Sequence, residues 1–171
     1  MTPKTDRQRP LIERYAAGGP VLAYAASGLS PEQEKARPGP GDWSIAELVT
    51  HLLDADLVAA ERMKRVIAED EPLLQSFDEN AWIDRLGAQE MSVEEAVNLF
   101  VANRRWMTRV LARCSEADFG RAGTHSEAGR LTLAALVTKM VNHLDHHLRF
   151  LYTKRGKLGA GIVPRYVAEL E

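Results

Sequence analysis

Three of the chain's 5 histidines fall within one pentapeptide, His143-Leu144-Asp145-His146-His147. On a helix, His143 and His147 stand at i and i+4, so their rings leave one face with Cβ atoms about 5–6 Å apart. Two imidazoles so placed can bind one metal ion. His146 is rotated off that line, towards Lys139, Asn142 and Arg149, and reads as solvent-facing or as an outer partner of the site. His143 and His147 continue a row through Leu136, Met140 and Phe150, at the edge of an apolar stripe. Ring nitrogens there are partly buried and need partners, and a metal would be one. The plainer alternative is a hydrogen-bonded pair, because this spacing also arises by chance.

His51 has a matching position, beside Leu48 and Ala55 and just ahead of Asp54. If its helix neighbours the one bearing the pair, the three rings make a metal site with positions left open. Three protein ligands plus water is the pattern of a catalytic rather than a structural metal. Imidazoles suit zinc, nickel, copper or iron(II), and zinc or nickel is favoured here. Asp54 and Asp145 could orient imidazole N–H groups or bind water. Alternatively, both are solvated helix charges. His125 lies in a Gly-flanked stretch and reads as structural or exposed; Ser126 and Glu127 beside it make no triad. There is no His-Glu-x-x-His, no Glu-x-x-His, no phosphate loop, no dinucleotide fingerprint and no nucleophile elbow.

The elements that must hold these histidines are helical. A first amphipathic segment runs from about Pro10 to Ser27, and Gly18-Gly19-Pro20 predicts a kink or break in it. Ser44 and Glu47 form a capping box that opens a second helix reaching about Glu69. Ser92 and Glu95 open a third in the same way. Its stripe ends at Cys114, which is read as a buried, inert thiol. The fourth starts near Thr132 and reaches about Lys154, before Gly156, and the tail has room for a short helical turn after Pro164. Long links, Pro72–Met91 and Ser115–Arg130, separate helices two from three and three from four. No strand alternation of convincing length is seen. The fold class expected is all-α, a four-helix bundle with long connections between helices 2–3 and 3–4.

Composition narrows the function. The chain has 171 residues, 22 Lys plus Arg against 24 Asp plus Glu, a net charge of -2, 45% hydrophobic residues and 27% charged ones. That is one domain's length and a globular balance. The core is expected over about residues 10–155, with 156–171 as a C-terminal extension. Nucleic-acid binding usually brings a basic excess, which is missing. A lone cysteine, Cys114, excludes an internal disulfide and every Cys-pair motif. The polar start and the absence of an apolar run of roughly 18 residues predict a cytoplasmic protein with no membrane partner.

From about Leu29 to Tyr152 the chain resembles the DinB-like (YfiT-like) metalloprotein family. The resemblance rests on Gly28-Leu29-Ser30-Pro31-Glu32, Pro40-Gly41-Asp42-Trp43-Ser44-Ile45, His51-Leu52-Leu53-Asp54-Ala55-Asp56, Phe77-Asp78-Glu79-Asn80-Ala81-Trp82 and His143-Leu144-Asp145-His146-His147-Leu148, in that order. It implies a four-helix bundle, commonly a homodimer, with one divalent metal held by three histidines. Those ligands fall on His51, His143 and His147. Departures are Asp56, where relatives often carry Glu, and the extension after Gly156.

An open three-histidine metal has two uses. It can lower the pKa of water towards about 7 for hydrolysis, or hold a low-molecular-weight thiol as thiolate for transfer to an electrophile. Several relatives resemble thiol S-transferases of detoxification, so a metal-dependent thiol transferase is the first expectation and a hydrolase the second. Asp54 is the nearest guess for a hydrolytic base. A non-catalytic metal-binding or stress-response protein is the third. Trp43, Asn80 and Trp82 could wall a pocket for a small-molecule substrate or pack the bundle end; Trp43 is read as packing.

Overall fold

The computed structural model describes residues 7–169. Four long helices form the bundle: α1 (Arg9–Ala25), α3 (Ile45–Ala68), α5 (Val93–Leu111) and α7 (Leu133–Lys157). Three short ones lie between them: α2 (Pro31–Lys35), α4 (Glu79–Arg85) and α6 (Glu116–Gly120). The packed pairs are α1 with α5, α5 with α3, α3 with α7, and α7 with α1. They close a ring in which α1 and α3 are diagonal. The condition set by the sequence is therefore met: the helix of His51 neighbours the helix of His143 and His147.

Side-chain caps start α3, α5 and α7 where the sequence places them. Ser44 accepts from the Glu47 N–H at 3.2 Å, and the Glu47 carboxylate accepts from the Ser44 N–H at 2.7 Å. Ser92 accepts from the Glu95 N–H, and Thr132 from the Ala135 N–H. These bonds satisfy donors that a helix N-terminus leaves open. Lys154, Arg155 and Lys157 close α7 against its negative end.

Two expectations on helix continuity are corrected, the break in α1 and the stop before Gly156. α1 runs without interruption through Gly18-Gly19-Pro20. The glycine there serves packing: a Cβ on Gly18 would stand 2.7 Å from Arg104 Nη1 and 2.8 Å from Leu144 Cδ2. Close approach to α5 and α7 repays the helix-breaking tendency. α7 likewise continues past Gly156 to Lys157, since one exposed glycine in a last turn costs only about 1 kcal/mol.

The links also hold what alternation did not reveal, a three-stranded sheet of β1 (Leu73–Leu74), β2 (Ala122–His125) and β3 (Gly129–Thr132). β1 pairs parallel to β2, and β2 and β3 form an antiparallel hairpin with His125 opposite Gly129. Strands of two to four residues are too short for a period-two pattern to register. After Pro164 the expected turn is present as a 3-10 turn, Val167–Glu169. Cys114 is buried, and burial pushes its thiol pKa up. Among the described residues no helix is long and apolar enough to cross a membrane.

Candidate metal centre

His51 on α3 and His143 and His147 on α7 meet where those two helices pack. Their Nε2 atoms face one another, 3.2 Å from His51 to His143 and 3.3 Å from His51 to His147. Metal–nitrogen bonds of roughly 2.0–2.1 Å at a tetrahedral centre give nitrogen separations of about 3.3 Å. Of the described residues, these three are the group of His, Cys, Asp or Glu side chains whose ligand atoms lie close enough to share one ion. The donor set fits a divalent cation.

Electrostatics agree. Burial lowers the pKa of all three rings: His143 falls to about 3 and His147 to about 4, with the neighbouring imidazoles lowering both further, and His51 falls too. Near neutral pH the rings are uncharged and offer lone pairs, the state a metal requires. The Nδ1 atoms of all three are buried and without hydrogen-bond partners. Glu79 Oε2 lies 3.3 Å from His51 Nδ1, within ion-pair range but not aligned as a hydrogen bond. A carboxylate there favours the tautomer with the proton on Nδ1 and the lone pair on Nε2.

The other predicted residues divide. Trp43 packs, as read, but it packs on the site: its ring centroid is 5.2 Å from that of His51. Trp82 meets Phe77 at a tilt, ring centroids 4.6 Å apart, and Asn80 is exposed on α4. His146 is exposed and meets Phe150 edge-on. Asp145 is a correction. Its two oxygens accept from the Val167 and Ala168 N–H groups at 2.8 and 2.9 Å, so it fastens the C-terminal turn rather than an imidazole. Asp54 is half-buried, with its pKa raised by burial, and among the described residues it makes no hydrogen bond to the three rings. The carboxylate that reaches a ring is Glu79, which lies in a segment quoted for its resemblance but was given no role.

One buried group was missed altogether. Arg104 on α5 donates to Asp56 Oδ1 at 2.7 Å, to the Tyr15 carbonyl at 3.1 Å and to the Met140 carbonyl at 3.1 Å. Its guanidinium lies over the rings of Tyr15 and Phe100. Asn103 Nδ2 donates to Asp56 Oδ2 at 2.7 Å. The Asp56 departure thus sits in a buried ion pair. A charged residue on an otherwise apolar stripe was the available signal.

A sequence profile of the DinB superfamily matches residues 15–151, which carry all three histidines. The chain belongs to the DinB superfamily. A protein of Geobacillus thermodenitrificans, named "Putative metal-dependent hydrolase", is 32% identical over 144 residues, covering 81% of this chain and 79% of its own. One of Geobacillus kaustophilus with the same designation is 31% identical over 140 residues, covering 81% and 78%. Among solved structures, the chain is similar to YfiT from Bacillus subtilis, described as "a probable metal-dependent hydrolase with an unusual four-helix bundle topology". The TM-score is 0.83 at 19% identity, covering 93% of this chain and 91% of that one. That likeness shows the four-helix fold. The relatives' designations and the three-histidine cluster together support a metal-dependent function for this DinB-superfamily chain.

Proposed function

We propose that the chain binds one divalent ion, zinc or nickel, on His51, His143 and His147 and is a metal-dependent thiol S-transferase acting on a small electrophile. The observation that carries the reading is the meeting of three neutral imidazoles, with His51 Nε2 3.2 and 3.3 Å from the other two, beside an open cavity. When bound, such an ion supplies the positive charge that makes a thiol, or water, a nucleophile at neutral pH. The chain's own part is to hold the rings neutral by burial and to orient them. Trp43 fixes His51 from one side, and Glu79 holds its proton on Nδ1.

Thiol transfer is preferred over hydrolysis because, among the described residues, no carboxylate oxygen joins the three ring nitrogens within ion-sharing distance. Glu79 lies at Nδ1 of His51, not at Nε2, and Asp54 reaches none of the rings. A thiolate needs no such base. Hydrolysis is the second reading, favoured by the designations of the relatives. The test supplies metal-loaded protein with a low-molecular-weight thiol and an aromatic halide, and separately with activated esters. The expected result is thiol-dependent turnover that disappears in His51→Ala. Ester cleavage without thiol would replace this reading with the second, and metal-independent turnover would defeat both.

A further inference from the structure

The cavity beside the imidazoles also reaches a second polar cluster that the three-histidine site does not use. Arg62, on α3, has 9% of its surface exposed. Its Nη2 donates to the Gln75 carbonyl at 2.5 Å, but its Nε is buried with no partner. A guanidinium keeps its charge and its donors at any working pH. That N–H is enclosed, but Arg62 lines the cavity, and its remaining N–H groups are the ones an acceptor there can reach.

Lys139, on α7 one turn before His143, is exposed and lines the same cavity. His125 completes the cluster from the end of β2. Its Nδ1 accepts from the Glu127 and Ala128 N–H groups, both at 3.2 Å. A nitrogen that accepts carries no proton, so the ring's proton sits on Nε2, which is a donor. Burial lowers the pKa of this ring first, and Arg62 and Lys139 lower it further against the opposing pull of Glu127. His125 is therefore a neutral donor beside two cations, with the Glu127 carboxylate opposing them. Glu79 and Glu127 also line the cavity, so its two cations and two carboxylates balance. A monoanion suits that balance better than a dianion does.

We propose that Arg62, Lys139 and the His125 Nε2–H form a subsite for the carboxylate of the small molecule handled at the three-histidine centre. Calling that molecule the substrate rests on the proposed metal function; the donors themselves belong to the chain and act without metal. The cavity, about 230 Å³, is smaller than the roughly 300–1,000 Å³ of pockets for drug-sized ligands. The ligand is accordingly a compact carboxylic acid, with its reacting group towards His51 and His143.

The test titrates propionate, and in parallel inorganic phosphate, into metal-free protein while the His125 ring resonances are followed by NMR. Saturable shifts are expected with propionate, and weaker binding with phosphate. Loss of a charged donor weakens binding by about tenfold, so Lys139→Met and Arg62→Gln should each show that loss. Lys139 is exposed, so its variant tests the subsite even if Arg62→Gln folds poorly. Unshifted His125 resonances, unchanged affinity in Lys139→Met, or tighter binding of phosphate would overturn the proposal. Metal loading of the same samples keeps the two readings apart. Propionate binding in a chain that takes up no metal defeats the metal centre alone, and metal uptake with His125 unmoved defeats the subsite alone.

Discussion

Arg104 and His51 are both 1% exposed in the same bundle, yet their surroundings are built differently. Around Arg104 the donors meet an aspartate and two backbone carbonyls, both Asp56 oxygens are taken, and Gly18 makes room for the guanidinium. Around His51 three neutral rings turn their Nε2 atoms on one another and keep three Nδ1 atoms without hydrogen bonds. Buried polar groups are nearly always satisfied. The first cluster is completed by the protein and serves the fold. The second has no such protein partners at its converging Nε2 atoms, and it is the cluster proposed above to hold the metal.

Breaking the first cluster should therefore cost stability, and breaking the second should cost metal. The largest effect is expected from Arg104→Met, which strands Asp56 as an unpaired buried charge at about 3–5 kcal/mol. Urea unfolding measures it, and adding Asp56→Leu should restore much of the loss. A cost below about 1 kcal/mol would show that the pair is no keystone. Gly18→Ala, which forces a methyl against Arg104 and Leu144, should lose about 1–3 kcal/mol by the same assay. His143→Ala, by contrast, should change the stability of the metal-free chain by no more than about 1 kcal/mol.

The pH response sharpens the contrast. His143 and His147 have folded-state pKa values of about 3 and about 4, below the ordinary histidine value of 6.5. Above pH 6.5 they are neutral whether folded or unfolded and exert no pH effect. As pH falls from 6.5 towards 4 the unfolded chain takes up protons that the folded one refuses, so stability declines. Thermal melts of metal-free protein should show that decline, and His147→Asn should flatten it. The smallest change in stability belongs to Glu79→Gln, which should leave the melting temperature unmoved while weakening metal affinity roughly tenfold.

The helices and the histidines were legible because both follow helical periodicity. His143 and His147 are one turn apart, and Ser44 and Glu47 announce the start of α3. What escaped depends on contacts between elements. Nothing local tells that Asp56 meets Arg104, or that Glu79, on a link between helices, swings back to His51. The Gly18-Gly19 pair has the composition of a break, and only the bulk of Arg104 across the interface explains it as packing. Asp145 sits beside a ligand in sequence, but on a helix the neighbouring residue points elsewhere, towards the C-terminal turn.

The most direct test of the account is metal content per chain by elemental analysis, on wild type and on His51→Ala, His143→Ala and His147→Ala, each checked for an intact helical fold. The account predicts close to one divalent ion per wild-type chain, with loss of it in every variant and retention of the fold in all. A folded wild-type chain that cannot be loaded with zinc or nickel, or variants that keep their metal, would contradict it.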